Sequence, residues 1–259
     1  LLVNSLFIVF SKTMTEPNSP KIDTQIASLE FQRSTMAAKL NWLRAGVLGA
    51  NDGIMSTSGL ILGVAASPGV TSETILIAGV AAVVAGSISM AGGEYTSVSA
   101  QKDSEKAALA VERKELADDP EGELRELAWF FEQKGISPKL AIQVAEELTS
   151  KDALKAHAEA ELGIDSEHHV SPTQAALSSF VAFAIGGLLP LFAVIGPWVE
   201  YRIPATVGSV VFALVLTGFV GAKIGGAKPT RGIVRNLFVS LLTMGVTYAI
   251  GHLVGTNIA

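Results

Sequence analysis

Residues 42–66 read WLRAGVLGANDGIMSTSGLILGVAA. An α-helix rises 1.5 Å per residue, so a stretch of roughly 20 apolar residues crosses the hydrocarbon core of a bilayer. This one is long and apolar enough, with Arg44 near its start and Asp52 as its sole acid. Asp52 lies about ten residues in, or roughly 15 Å along the axis, close to the midplane. A carboxylate at that depth is expensive and by default functional. The neighbouring Asn51, Gly53, Ser56, Thr57 and Ser58 make the run polar enough to line a wet path. The bland alternative is a protonated Asp52 hydrogen-bonded to a neighbouring helix.

Working outward, four further apolar stretches follow, at 74–98, 175–195, 205–221 and 234–254. Ser67-Pro68-Gly69 separates the first two spans, Gly196-Pro197 and Pro204 bracket the third and fourth, and Lys228-Pro229 precedes the fifth. Pro190 should kink the third span, which alone marks no gate. Composition agrees. The mean hydropathy is +0.44 and only 17% of residues are charged, too apolar for a soluble domain of 259 residues. The net charge of −5 argues against nucleic acid as a partner. With no cysteine, disulfides, thiolate metal sites and cysteine nucleophiles are excluded, and any metal must be held by carboxylate, imidazole, thioether or backbone oxygen.

Lys and Arg cluster before the first span, in the 101–174 insert and after the fourth span, while the intervening loops carry only Arg202. By the positive-inside rule the N-terminus and the insert are cytosolic and the C-terminus lies outside. The expected organisation is a cytosolic segment at 1–41, two spans within 42–100, an acidic helical domain at 101–172 and three spans within 173–259. The opening LLVNSLFIVF is too short to span, and translation is expected to begin at Met14, which would make residues 1–13 non-native. The insert reads as helices: one from the end of the second span to about Ala117, one from Asp119-Pro120 to Lys134, one from Ser137-Pro138 to about Thr149, and one from about Lys151 to Leu162. No strand alternation is present, so the fold class is all-α, a polytopic membrane protein with a helical metal-binding insert between its second and third spans.

Met90 lies roughly 12 Å from the inner end of the second span, level with Asp52. A carboxylate with a thioether suits Fe²⁺ or Mn²⁺ better than Mg²⁺, although a lone Met in an apolar helix is usually packing. Glu94 follows on the same helix face, either relaying ions toward Asp52 or snorkelling to water. In the insert, Glu112 and Glu115, then Glu123 and Glu126, are i,i+3 pairs on successive helices, and the Asp118-Asp119-Pro120 turn can fold them together. His157 and Glu161, i,i+4, could complete the cluster, whose oxygen-rich set suits Fe²⁺, Mn²⁺ or Zn²⁺. Otherwise the glutamates form a solvated face, with Arg113, Lys114 and Arg125 interleaved. His168-His169 belongs to a linker and His252 to an interface. Enzyme signatures such as His-Glu-x-x-His, a phosphate loop or a nucleophile elbow are missing, so the chain is not read as an enzyme.

The stretches LRAGVLGANDGIMSTSGLILGVAAS, VAGSISMAGGEYTSVSAQKDSE and the insert ending in HAEAELGI resemble the vacuolar iron transporter (VIT) family, in its bacterial form, from about residue 40 to the C-terminus. The resemblance implies a homodimeric exporter of Fe²⁺ and often Mn²⁺, driven by inward proton flow, with the path at the dimer interface. The metal is then cargo, and no permanent cofactor is implied. It places the family's first-span Asp on Asp52, its second-span Met on Met90, and its insert glutamates on Glu112, Glu115, Glu123, Glu126 and Glu161. Two departures stand out. Ala82 occupies a second-span position where plant and fungal-type members carry Glu, and His157-Ala158 replaces two adjacent Met residues. Imidazole makes the cluster harder and more pH-sensitive. The bacterial form of the likeness makes the inner membrane the expected location; a eukaryotic source would imply a vacuole-like membrane. Two other classes fit less well: a membrane enzyme with a carboxylate-bound metal, and a metal sensor or scaffold that does not transport.

Overall fold

The computed structural model describes residues 20–164 and 171–258. Residues 1–19, including the expected non-native start, and the His168-His169 pair lie outside them. Among the described residues the chain is helical with no strand. The helices are α1 (Pro20–Ala65), α2 (Ser72–Asp118), α3 (Pro120–Gln133), α4 (Pro138–Ala160), α5 (Pro172–Ile195), α6 (Arg202–Ile224) and α7 (Pro229–Ile258). Of the described residues, those up to Leu40 form one compact unit and those from Asn41 another; the second holds everything described below.

Five helices are long and apolar enough to cross a membrane, with their spanning parts at Arg44–Ala65, within α2, in α5, at Val199–Lys223 and in α7. All five expected spans are therefore present, and the chain is an all-α polytopic membrane protein. Their outward faces are bare hydrocarbon: Ile77 and Ile88 of α2, Phe212 of α6 and Phe238 of α7 are each at least 60% exposed. Apolar surface on that scale belongs against lipid or another chain rather than water.

Two sets of buried side chains tie the spans together. Ile54 and Leu62 of α1 pack with Val210, Ala213 and Leu214 of α6 and Met244 of α7. Ile61 of α1 packs with Ile75 and Val83 of α2 and Leu191 and Val194 of α5. The α1–α5 crossing is closer still. Ser178 and Ser179 of α5 donate from their Oγ atoms to the backbone oxygens of Trp42 and Ala45, at 3.1 and 3.4 Å. A side chain on Gly53 would strike the Phe183 carbonyl, so only glycine lets the backbones meet there. α5 continues through Pro190 to Ile195.

The insert is built differently from the sequence expectation in two places. Its first helix is not separate, because α2 runs unbroken for 47 residues from the membrane to Asp118. No proline interrupts the change from apolar to polar composition, so the helix continues through it. The expected break between the last two helices falls slightly later, at Asp152, where the backbone leaves helical geometry (φ −162°, ψ 96°). There the Asp152 Oδ1 accepts from the Lys155 backbone N–H at 3.0 Å, a helix N-cap. Asp119 caps α3 likewise, accepting from Gly122 N at 2.9 Å, with Pro120 in the first turn. A small core of Leu127, Ala128, Ala141, Ala145 and Ala156 holds α3 against both halves of α4.

Candidate ion pathway and metal centre

The structure gathers the sequence-predicted residues into two places. The first is a cleft of about 390 Å³ between α1, α2 and α5, lined by Asp52, Ser56, Gly86, Ser89, Met90, Gly93, Glu94 and Phe183. Asp52, Met90 and Glu94 therefore share one space, because the antiparallel α1 and α2 bring position 52 level with position 90. Asn51, beside Asp52, faces the other way and accepts from Thr217 Oγ1 of α6 at 2.7 Å. That bond ties the α1 turn carrying the acid to a third helix. Glu94 forms the polar rim, 3.4 Å from the guanidinium of Arg44, with its side chain only 10% exposed. Sequence reading assigned no partner to Glu94, since the two residues are fifty positions apart. It also missed Ser89 and Phe183. Ser89 adjoins Met90 and could have been noticed; an apolar Phe183 in an apolar span gives no signal.

The second place is the insert. Around the fully buried His157 ring, Glu112 Oε1 lies 2.9 Å from Nδ1, Glu161 Oε2 3.5 Å and Glu123 Oε2 3.6 Å. Glu112 is nearly as buried, at 3% exposure. α2 supplies Glu112, α3 supplies Glu123, and the part of α4 beyond the Asp152 kink supplies His157 and Glu161. One ring nitrogen carries at most one hydrogen, so it cannot satisfy three carboxylates. Indeed, among the described residues Glu112 Oε1 has no aligned hydrogen-bond donor and His157 Nε2 has no hydrogen-bond partner. Glu115 and Glu126 are exposed but close enough to repel Glu123.

The electrostatics follow. Burial first, then repulsion from Glu161, push the Glu112 carboxyl up to about 7; His157 opposes this, and Glu123 and Glu115 add to it. Burial, then Glu126, likewise raise Glu123. Acids held so close favour either a shared proton or a cation. One ligand atom from each of Glu112, His157 and Glu161 fits within 4.8 Å of the others, close to the span across a coordination sphere with bonds of about 2.0–2.2 Å. Ala158, beside His157, is buried and offers no donor. Arg113, Lys114 and Arg125 all point to the exposed side of their helices.

The model of the VIT family matches residues 43–252. The chain belongs to the VIT family. Family membership thus covers both the cleft and the insert. A protein named vacuolar iron transporter from Acanthamoeba castellanii is 44% identical over 227 residues, covering 86% of this chain and 82% of its own length. Vacuolar iron transporter homolog 1 from Oryza sativa is 34% identical over 222 residues, 85% of this chain and 77% of that protein. Vacuolar iron transporter homolog 4 from Arabidopsis thaliana is 33% identical over 245 residues, 93% and 98% of the two chains.

Proposed function

We propose that this VIT-family chain transports divalent transition-metal ions, Fe²⁺ and Mn²⁺, out of the cytosol in exchange for protons, as a homodimer. The observation that carries the reading is the cleft: an acid, a thioether and a second acid face one space inside a bundle of apolar spans. The names of the relatives support iron as cargo, and their vacuolar designation favours a vacuole-like membrane over a bacterial inner membrane. The insert captures the ion from the cytosol through Glu112, Glu123, His157 and Glu161, with Glu115 and Glu126 raising the local negative potential. The ion passes Glu94 and reaches Asp52 and Met90. A proton arriving from the far side neutralises Asp52 and releases it. With His157 in the donor set, Zn²⁺ is a competing ligand of the insert.

Support for the dimer comes from the exposed apolar stripe Ile77, Val80, Val84 and Ile88 on α2 and from Gly92 and Gly93, where an added methyl group would meet no other part of the described residues within 4 Å. A second copy laid on this face would complete the cleft's open side. Fe²⁺ uptake into proteoliposomes under a pH gradient tests the proposal. Asp52→Ala should abolish gradient-driven flux, and flux equal to wild type would remove the central claim. A non-transporting sensor keeps some standing, because eighteen residues of α2, about 27 Å of helix, separate Glu94 from Glu112. It predicts metal binding at the insert with no flux.

A further inference from the structure

Phe183 lines the cleft and carries no group that could bind an ion, yet its position is tightly prescribed. Its side chain is 3% exposed. A methyl group on Gly86 of α2 would collide with its ring, and one on Gly53 of α1 with its carbonyl. The residue is therefore wedged between the two helices that carry Met90 and Asp52. Gly53 and Thr57, i,i+4 on α1, face Phe183 and Gly187, i,i+4 on α5. Thr57 is thus the next polar group beyond the ring, one helical turn further from Glu94. It is fully buried, and its Oγ1 has no hydrogen-bond partner among the described residues. Such a hydroxyl calls for an explanation, because buried polar atoms are nearly always satisfied. Val83 of α2 flanks Thr57 at Gly187, and the buried cluster continues with Ile61 and Leu191.

We infer that Phe183 is the gate of the intramembrane path, and that the Thr57 hydroxyl is the next oxygen a divalent cation meets once the ring withdraws from Gly86. This rests on the transport reading above. It adds a residue on α5 that closes the cleft just beyond Asp52 and a ligand that becomes available only when the gate moves.

The chain has no cysteine, so Thr57→Cys would be its only thiol. In lipid nanodiscs, where both faces meet solvent, a charged methanethiosulfonate reagent should label Thr57→Cys slowly with Phe183 in place. Labelling should be at least tenfold faster when Phe183→Ala is added, and intermediate with Phe183→Leu, which keeps more of the packing. A single thiol at the buried Ser240 of α7, Ser240→Cys, should stay slow in every background. Equal rates at Thr57→Cys with Phe, Leu and Ala would overturn the gate. So would fast labelling with Phe183 intact, or equal acceleration at Ser240→Cys, which would assign Phe183 to packing alone. Labelling is read without transport, so a failed flux assay on Asp52→Ala and a failed gate are told apart.

Discussion

Replacing Glu112 by Gln should make the metal-free protein more stable at pH 8 and no more stable near pH 4. The free carboxyl titrates at 4.5 and the folded one at about 7, chiefly because it is buried and next because Glu161 repels it. The folded chain holds this proton more tightly than the unfolded chain. The metal-free fold therefore weakens as pH rises from 4.5 to about 7. Below that window both states are protonated and the penalty vanishes; above it both are ionised and the penalty is complete. At 1.36 kcal/mol per pH unit, the full effect is at most about 3 kcal/mol. Gln keeps the shape and cannot ionise, so it removes the penalty. Thermal unfolding of metal-stripped protein in nanodiscs, followed by circular dichroism at pH 4, 6 and 8, reads the difference directly. Saturating Mn²⁺ should reverse the order at pH 8, because the ionised carboxylate then gains a cation and the amide does not. Parallel pH profiles for the two proteins without metal would refute the reasoning, since Glu112 would then not be the buried acid of the cluster.

Proton competition at the same group predicts that the apparent Kd for Mn²⁺ at the insert rises about tenfold between pH 8 and pH 6, with a shallower slope in Glu112→Gln; calorimetric titration checks it. Asp152→Ala removes the cap at the α4 kink, costing about 1 kcal/mol. It should also weaken Mn²⁺ binding about tenfold through misplacement of His157 and Glu161, and Asp152→Asn should restore both; equal affinity in all three proteins would show that the kink does not position the ligands. Gly53→Ala forces α1 from the Phe183 carbonyl and should destabilise the bundle by roughly 1–3 kcal/mol, whereas Gly92→Ala, with open space beside it, should leave the melting temperature of the detergent-solubilised monomer unchanged.

The spans were legible because each is a long apolar run, four of them followed by Pro or Gly, and hydropathy needs no knowledge of what packs on what. The polar insert was legible as helices for a similar local reason, the Asp119-Pro120 and Ser137-Pro138 starts. The continuity of α2 was harder to see, since a change of composition looks like a boundary although no helix-stopping residue marks one. The level placement of Asp52 and Met90 followed from rise per residue alone, and the two do line one cleft. By contrast, the pairing of Arg44 with Glu94 and the wedge of Phe183 against Gly86 depend on how three helices cross. Their residue types are ordinary for their places, so no local pattern announces them. The cluster lay between these cases. Glutamate spacing put each pair on one helix face, but only folding shows that Glu112 and His157 go inward while Glu115 and Glu126 remain on the rim.

α2 is a lever as well as a scaffold. A single uninterrupted rod carries Met90 and Glu94 near its middle and Glu112 close to its far end, and the arm from Glu94 to Glu112 is about 27 Å. Tilting it by about 5° swings the far carboxylate by roughly 2 Å, enough to make or break a bond to an ion at the distances typical of such ligands. In the proposed mechanism, an ion held at the far end would act mechanically on the lining of the membrane cleft, because no break in the helix lies between them to absorb the motion.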